Sequence, residues 1–413
     1  MKLLNFLLLS FTLFVFLPSA VLAQTDQIPW WQFQSIDTMK YSRDIAREKL
    51  SDPAFDSVIE TQVKNIADAG AIHIAIATPY DEEFIPFLTR WVKLARKHNL
   101  SVWFRGNWSG WEGWFGYTGI GREEHLQKTK GFIAKHADLF ADGDVFTSCP
   151  ECENGGPGDP RQTGDVAAYR RFLVSEYQVT QDAFKKIKKD VRSNYFSMNG
   201  DVASLVMDRS TTTALGGIVT IDHYVASPDQ LVSDIKRLST QSGGKIVLGE
   251  FGVPIPDIHG RMTPAQQAAW LKSALEKLVH VPEVLGLNYW TNSGSSTQLW
   301  SESGEPNPAV SVLSDFYRPQ VISRAIQNAL GQPVASASVY YLDRQFTTDS
   351  TGVFRVPILP GQVTLKISSP GYLDQGLQVG PSDTQAVIVL VKSNPNLWFR
   401  IQLLTYRFLR AIL

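Results

Sequence analysis

The chain has 413 residues, more than one ordinary hydrophobic core holds, so we expect one large domain and a smaller one. Its formal net charge of -1 and its 19% of charged residues lack the basic excess of proteins that bind nucleic-acid phosphates. A nucleic-acid partner is therefore not expected, and 44% of hydrophobic residues is typical of a soluble globular protein.

The N-terminal segment resembles a secretory signal peptide in its order of features. Lys2 precedes a long apolar run, Pro18 follows it, and small residues end at Ala23. An uncleaved membrane anchor is the alternative, because the apolar run is long for a signal peptide and no lipobox cysteine is present. We predict a signal peptide over residues 1–23. Either interpretation puts the body of the protein outside the cytoplasm, secreted or at the cell surface, where a disulfide is chemically feasible.

Short apolar runs alternate with helical patterns between residues 30 and 318, which is typical of β-strands that are each followed by a helix. The strand candidates are, in chain order, WQFQSIDT, IHIAIATPYD, LSVWFRGNWSG, DVFTSCPE, NYFSMNGD, IVTIDHYVAS, KIVLGEFGVP and VLGLNYWTN. Eight strand–helix pairs close a TIM barrel, and no glycine-rich fingerprint favours the doubly wound open sheet. The predicted fold class is α/β, a (β/α)8 TIM barrel over residues 30–318.

The active site of a TIM barrel lies at the carboxyl ends of its strands. Acids, hydrogen-bond donors and aromatic residues stand at or just after the predicted ends; they are Asp37, Lys40, Asp81, Arg105, Asn107, Glu151, Asn199, His223, Tyr224, Glu250, Trp290 and Asn292. His73 lies inside an apolar strand and is interpreted as a core residue. No set of three His or Cys ligands accompanies these residues, so we expect neither a catalytic metal nor another cofactor.

Two glutamates follow strands that face each other across such a barrel. Glu151 ends the fourth predicted strand and Glu250 ends the seventh. Cleavage of a glycosidic bond needs one carboxylic acid that protonates the departing oxygen and one carboxylate that attacks the anomeric carbon or activates water. A glutamate at a strand end is often only a salt-bridge partner, but two of them on apolar strands favour a functional interpretation.

In these motifs the chain resembles the large clan of retaining glycoside hydrolases built on (β/α)8 barrels. VLGEFGVP is similar to the strand-seven signature of that clan, so the resemblance implies that Glu250 is the nucleophile. DHY after strand six implies that Tyr224 contacts the nucleophile, with His223 beside it. LNYWTN at strand eight implies that Trp290 lines the subsite next to the scissile bond.

The fourth strand departs from the pattern of the clan. Pro150 and Glu151 stand where the clan usually has Asn-Glu. A strand of ordinary length that starts at Val145 brings Glu151 to the barrel mouth, so we favour Glu151 as the acid/base and keep Glu153 as the alternative. Asn154 is a candidate for the contact to the sugar 2-hydroxyl that the missing Asn would make.

The two cysteines, Cys149 and Cys152, have the spacing of a redox motif. Thioredoxin-like proteins carry this motif at the start of a helix, whereas here a strand precedes it and a glutamate lies inside it. Zinc would need further soft ligands. We interpret the pair as structural, either a local disulfide or two small buried residues that shape the acid/base loop. A thiol oxidoreductase is the remaining alternative.

An aromatic loop leaves the third strand, with Trp108, Trp111 and Trp114 among glycines. Indole faces stack on the apolar faces of pyranose rings, so we predict that these residues form a subsite wall. A single indole could equally fill a gap in the loop packing. Arg105 is predicted to hydrogen-bond the nucleophile or the sugar, and Asn107 and Asn199 are counted with the substrate-binding residues.

The C-terminal part has a different pattern. Short alternating runs between turn residues predict a small β-sandwich over residues 332–392, joined to the barrel by a linker over residues 319–331. Through GQPVASASV and TTDSTGVFRVPILPGQVTLKISSPGY it resembles the carboxypeptidase regulatory-like family of transthyretin-type sandwiches. Residues 393–413 end in LWFRIQLLTYRFLRAIL, which predicts a basic amphipathic helix at a membrane interface or a terminal packing helix.

The leading hypothesis is a secreted retaining β-glycosidase that acts on a polysaccharide or glycan and needs no cofactor. A carbohydrate-binding barrel protein without catalytic activity is the alternative, because the strand-four motif is unusual. The expected partner is a carbohydrate. The C-terminal tail or an uncleaved N-terminus would also allow association with a membrane or the cell surface.

Overall fold

The computed structural model describes residues 28–380 and 387–412, with side chains up to residue 408 at the C-terminus. The predicted signal peptide, residues 1–23, lies outside the described residues.

Eight parallel strands form one curled sheet. They are β1 (Phe33–Asp37), β2 (His73–Ile76), β3 (Ser101–Phe104), β4 (Val145–Phe146), β5 (Ser197–Asn199), β6 (Ile218–Asp222), β7 (Lys245–Phe251) and β8 (Val284–Tyr289). Their spatial order is β4-β3-β2-β1-β8-β7-β6-β5, and a parallel bridge from Val145 to Arg192 joins β4 to the segment before β5. The predicted α/β fold with a TIM-like barrel is confirmed.

Helices connect the strands and cover the outside of the sheet. Those of the described residues are α1 (Met39–Ser42), α2 (Ala46–Lys49), α3 (Asp56–Asp68), α4 (Ile85–Lys97), α5 (Ser109–Glu112), α6 (Arg122–Lys135), α7 (Pro160–Thr163), α8 (Val166–Lys186), α9 (Gly200–Val206), α10 (Arg209–Ala214), α11 (Pro228–Ser242), α12 (Pro256–His259), α13 (Pro264–Leu278), α14 (Pro308–Tyr317) and α15 (Leu397–Ile412). Across residues 28–380 and 387–412, none of the helices has the length and apolar character needed to span a bilayer.

Local sequence explains where the helices next to the site begin and end. The Ser227 side chain accepts the Gln230 N–H at the start of α11, and Gly243 ends that helix with φ 70°. At the start of α13, Thr263 and Gln266 form a reciprocal capping box. These caps fix where each helix begins or ends, so that the following strand returns to the same sheet.

The interior of the barrel is packed with apolar side chains rather than open. Phe33, Ala75, Trp103, Val145 and Val247, each from a different strand, form one buried cluster inside the ring. The alternate residues of the same strands face the surrounding helices. Polar side chains are therefore concentrated at the carboxyl ends of the strands, above this apolar layer.

Two antiparallel-rich sheets follow the barrel. They contain β9 (Gln320–Asn328), β10 (Ser338–Tyr341), β11 (Arg344–Thr347), β12 (Val353–Ile358), β13 (Val363–Ser368), β14 (Gln375–Val379) and β15 (Val387–Leu390). The orders are β11-β10-β13-β14 and β12-β9-β15. The predicted linker over residues 319–331 is wrong, because most of it is β9, whose Ile322 and Ile326 are buried.

The sandwich contacts the end of the barrel opposite the strand carboxyl ends. Arg344 of β11 donates to the backbone oxygens of Trp30, at 3.1 Å, and Val279, at 2.8 Å. The Trp30 and Tyr341 rings also lie 6.0 Å apart between centroids. Because residues 30 and 279 precede β1 and β8, these contacts are at the amino ends of the strands. The sandwich therefore lies away from the candidate site.

Candidate active site

Arg105, directly after β3, is the centre of a buried ion-pair network. Its Nη1 donates to Asp37 Oδ2 at 2.8 Å and to Glu250 Oε1 at 3.0 Å. Its Nη2 donates to Ser197 Oγ at 3.0 Å and to Asp222 Oδ2 at 3.1 Å. Burial lowers the pKa of Arg105, but the three carboxylates outweigh burial and hold it above its ordinary value. The guanidinium thus joins residues of β1, β5, β6 and β7 as a permanent cation.

Both oxygens of the Glu250 carboxylate are hydrogen-bonded. Arg105 occupies Oε1, and the Tyr224 hydroxyl donates to Oε2 at 2.7 Å. Burial raises the pKa of Glu250 to about 7; the Arg105 charge opposes this rise, and the Glu151 charge adds to it. Two donors hold the carboxylate in one orientation and favour its ionised form. The predicted contact between Tyr224 and Glu250 is present.

Glu151 lies in the loop after β4 and is half-buried. Its backbone is left-handed, with φ 44°, and its N–H donates to Ser197 O at 2.8 Å. Asn154 Nδ2 donates to Glu151 Oε2 at 3.0 Å, so the residue predicted to touch the sugar contacts the acid. Burial raises the pKa of Glu151 and the neighbouring Glu153 raises it further, while Arg105 opposes both. This carboxyl is the more accessible of the two, since Glu250 is 6% exposed.

Glu153, the alternative acid/base, is engaged in structural contacts. Its Oε1 accepts the Asn199 N–H at 2.7 Å, and its Oε2 accepts the Tyr169 hydroxyl at 3.1 Å. The residue is 4% exposed. Burial raises its pKa and these hydrogen bonds oppose the rise. The geometry therefore favours Glu151 over Glu153 as the group that meets a ligand.

Two of the three loop tryptophans are packing residues, so that part of the predicted subsite wall is wrong. Trp108 is 6% exposed, and its ring packs edge-on against Tyr80. Trp111 is 3% exposed, stacks on Phe172, and donates its indole N–H to the Cys152 oxygen. Neither indole has a free face for a pyranose ring. The loop is long enough to fold back over the helices and bury them.

Asn107 is also a structural residue rather than a substrate ligand. It is fully buried; its Oδ1 accepts from the Trp108 N–H at 2.8 Å and contacts His125 Nε2 at 3.0 Å. Its Nδ2 donates to Glu112 Oε1 at 2.8 Å. His125 continues the chain to Glu176 Oε1 at 2.5 Å. The amide thus fixes the base of the aromatic loop, and no hydrogen-bonding group of it is left for a sugar.

The aromatic residues that stay half-buried are Trp114 and Trp290. The Arg43 guanidinium lies 4.7 Å from the Trp114 ring centroid, and Lys40 Nζ lies 5.8 Å from that of Trp290. The Trp290 ring meets Tyr224 edge-on at 6.2 Å, and its indole N–H has no hydrogen-bond partner among the described residues. Of the predicted aromatic contacts, these two keep accessible surface, and Trp290 lies beside Tyr224, the donor to Glu250.

Two further candidates have their main hydrogen-bonding groups in use. Asn199 caps α9 by accepting the Asp201 N–H at 3.0 Å. His223 Nε2 pairs with Asp234 of α11 at 3.1 Å, so the ring turns to the helix and not to Glu250. The His223 backbone N–H donates to the backbone oxygen of Glu250 at 2.9 Å. Both residues shape the site, and a direct contact of His223 with a sugar is not favoured.

Cys149 and Cys152 form a disulfide, which closes a short loop around Glu151. Both cysteines are buried, and the Asn107 amide donates to Cys149 Sγ. The structural interpretation of the pair agrees with this geometry. The bond connects the Glu151 loop to the aromatic loop through Asn107.

Three further acids complete the site: Asp37, which was among the predicted strand-end residues, and Asp222 and Glu112, which the sequence analysis missed. Asp37 and Asp222 pair with Arg105, and Asp222 Oδ1 has no partner among the described residues. Burial raises the pKa of Asp222 well above its ordinary value, against the charge of Arg105. Glu112 is half-buried, and burial raises its pKa to about 8. Asp37 and Asp222 are the last residues of strands, a signal that was readable in the sequence.

No family model matches the chain, and no curated protein matches it in sequence. Solved structures match its fold. A GH5_18 protein from Streptomyces cattleya, in complex with Manb1-4GlcNAc, has a TM-score of 0.52 and 11% identity, over 72% of this chain and 85% of its own. A GH5_18 protein from Bifidobacterium longum subsp. longum ATCC 55813, with the same ligand, has a TM-score of 0.51 and 12% identity. The match covers 80% of this chain and 86% of that protein.

The chain also matches larger proteins over part of their length. It spans 44% of beta-glucuronidase 2 from Bacteroides uniformis, with a TM-score of 0.46, 12% identity and 81% of this chain covered. At these identities the likeness concerns the fold alone. The protein therefore has a barrel fold that is also found in glycosidases, and its activity has to be argued from the site.

Proposed function

We propose that the protein is a retaining β-glycosidase that hydrolyses O-glycosidic bonds of a polysaccharide or glycan. The observation that carries the proposal is the Glu250 carboxylate, held by Arg105 and Tyr224 beside a second, half-buried glutamate with a raised pKa. A nucleophile must be ionised and oriented, and an acid must keep its proton until the bond breaks. Glu250 is the oriented carboxylate of the pair, and Glu151 is the more accessible one.

In the proposed first step, a Glu250 oxygen attacks the anomeric carbon while Glu151 gives its proton to the departing oxygen. This forms a glycosyl ester on Glu250. In the second step, the ionised Glu151 takes a proton from water, and the water oxygen attacks the anomeric carbon and releases Glu250. The ester carries no negative charge on Glu250, so the pKa of the nearby Glu151 falls when the ester forms. The lower pKa favours the ionised Glu151 that acts as the base in the second step.

Trp290 is proposed to line the sugar subsite, and its unpartnered indole N–H supplies a donor beside Tyr224. Trp114 is proposed as a second wall. Secretion through a leader over residues 1–23 and a carboxypeptidase regulatory-like identity of the sandwich belong to the same proposal. N-terminal sequencing of the exported protein tests the leader, with a first residue near position 24 expected.

Glu250→Gln tests the nucleophile. We expect hydrolysis to fall by at least about a thousandfold while the ligand still binds, because the amide is isosteric but a poor nucleophile. The matched control Glu305→Gln changes an exposed glutamate of the barrel and should leave the rate unchanged. A panel of aryl glycosides and polysaccharides, starting with β-mannosides because the two similar structures hold Manb1-4GlcNAc, supplies the substrate. Carbohydrate binding without turnover in the unaltered protein would favour the non-catalytic barrel instead.

Glu151→Ala and Glu153→Ala separate the two acid/base candidates. With an activated aryl glycoside, Glu151→Ala should form the glycosyl ester and then stall, and added azide should restore turnover by attacking from the vacated space. Glu153→Ala should lose stability, with no rescue by azide, because Tyr169 and Asn199 lose their acceptor. The product formed with azide and the product formed with water should both have the configuration of the substrate, as NMR can record.

A further inference from the structure

The C-terminal helix α15 has two apolar faces, and the sandwich covers one of them. Phe399 is buried beside Lys392, and the Tyr406 hydroxyl lies near Gly331. Leu403, on the same side of the helix, is half-buried. This spacing of four and three residues is that of a helix face packed on a domain. The helix is therefore attached to the sandwich along one side.

The opposite side of α15 exposes a continuous apolar stripe. Leu397, Ile401, Leu404 and Phe408 follow one another at helical spacing and are between 46% and 75% exposed, and Trp398 beside them is 66% exposed. Single exposed apolar residues are ordinary on a protein surface, but a row of them on one helix face indicates a binding surface. We call this row the α15 stripe.

The charged residues of the α15 segment are all positive. Arg400 and Arg407 lie about two helical turns apart along one border of the stripe, and both are exposed. The chain has no Asp or Glu from Thr384 to Leu413, while it has Lys392 and three arginines there. Such a segment attracts an anionic surface and has no acid of its own to repel it.

We propose that the α15 stripe docks on the surface of a bilayer that contains anionic lipid, with the helix lying in the plane of the interface. A helix of 16 residues is about 24 Å long, shorter than the hydrocarbon core of roughly 30 Å, and its arginines exclude it from that core. Apolar residues on one side, arginines at the border and a tryptophan near the start are the features of an interfacial amphipathic helix.

A second copy of the chain is a poorer occupant of the same surface. A two-fold contact would bring the α15 stripes of both copies together, and with them Arg400 and Arg407 of each. Since the segment carries no acid, these cations would face one another without partners, which opposes association. An anionic headgroup layer neutralises the same arginines. The proposal does not depend on the proposed glycosidase activity.

Flotation of the full protein with vesicles tests the proposal. We expect recovery with vesicles of phosphatidylcholine and phosphatidylglycerol, much weaker recovery with phosphatidylcholine alone, and release by added salt. Leu404→Glu should lower the vesicle partition coefficient about tenfold or more. Arg400→Gln with Arg407→Gln should lower it about fivefold for each arginine, on anionic vesicles only.

Matched surface variants of the barrel serve as controls. Leu205→Glu and Arg237→Gln change an exposed apolar residue of α9 and an exposed arginine of α11, and they should leave flotation unchanged. Equal binding to neutral and anionic vesicles, or no binding to either, would overturn the proposal. So would a dimer in sedimentation equilibrium that Leu404→Glu dissociates. Hydrolysis of a soluble aryl glycoside, measured without vesicles, should be the same in all these variants. This assay tests the proposed glycosidase activity independently of membrane binding.

Discussion

The two candidate catalytic glutamates lie at one barrel mouth, but the chain holds them in different ways. Glu250 belongs to the seven-residue strand β7, and its two oxygens are occupied by Arg105 and Tyr224. Glu151 comes after a two-residue strand, in a loop with a left-handed backbone and a disulfide around it, and Asn154 donates to one of its oxygens. Strand β7 and the ion pair with Arg105 hold Glu250 in place, whereas a short loop closed by the disulfide holds Glu151.

This difference corresponds to what the two groups would have to do. A nucleophile gains from one fixed orientation, because misplacement of the attacking oxygen is costly in rate. An acid/base group exchanges its proton twice in each cycle and needs access to water. The strand side of the site is therefore the rigid side, and the loop side is the adjustable one. Arg105 and Tyr224 belong to the rigid side, and Cys149 and Cys152 belong to the adjustable side.

Arg105→Met removes the cation of the rigid side and should have the largest effect. Asp37, Asp222 and Glu250 would be left buried without their partner, so we expect a loss of about 3–5 kcal/mol in the free energy of unfolding. The measurement is urea denaturation at neutral pH. Arg237→Met, at an exposed salt bridge, is the control and should change stability little. A small loss for Arg105→Met would show that the network does not fix the strand ends.

Tyr224→Phe removes one donor from Glu250 and should lower kcat/KM by about 10- to 100-fold. The hydroxyl lowers the pKa of Glu250, so its removal raises that pKa, and the acidic limb of the pH profile should move to higher pH. The pH dependence of kcat/KM measures both effects. Tyr169→Phe is the matched control, since its hydroxyl donates to Glu153. If both variants moved the same limb, Tyr224 would not act through Glu250.

The double change Cys149→Ser with Cys152→Ser is directed at the adjustable side. Opening so short a loop should cost about 2 kcal/mol of stability and lower kcat, because Glu151 loses the closed loop that orients it. Formation of the glycosyl ester on Glu250 from an activated substrate should be affected less, since that step needs little acid assistance. Burst kinetics separates the two steps. An equal loss in both steps would contradict the division into two sides.

Glu112→Gln should have the smallest effect, and a stabilising one. Burial raises the pKa of Glu112 to about 8, so the folded protein holds a proton that the unfolded chain releases above its ordinary pKa of 4.5. Stability from this group is therefore lost as the pH rises from about 4.5 to 8. Because the amide does not ionise, the variant should exceed the unaltered protein in free energy of unfolding by on the order of 1 kcal/mol at pH 8. At pH 4 the two should be almost equal. Thermal unfolding at both pH values, with Glu305→Gln as control, measures the difference.

Much of the barrel was predictable because its signals are local. Alternation of apolar strands and amphipathic helices predicted the (β/α)8 order, and the strand ends predicted that Arg105, Tyr224 and Glu250 would lie at one mouth. The contact between Tyr224 and Glu250 was implied by the resemblance of the strand-six motif to that of retaining glycoside hydrolases. The same reasoning failed where a segment could be either exposed or buried. Trp108 and Trp111 have the same local pattern as the half-buried Trp114. Only the fold of the loop over α6 and α8 distinguishes them.

The sequence by itself determined which residues stand at the carboxyl ends of the strands, because a parallel barrel brings those ends to one side whatever the loops do. It did not determine which of Glu151 and Glu153 remains accessible, nor that residues 320–328 form a strand. Both depend on partners distant in the chain: Tyr169 and Asn199 hold Glu153, and β12 and β15 pair with β9. Burial and hydrogen bonding between such distant residues exist only in the folded protein, so the tertiary structure decided them.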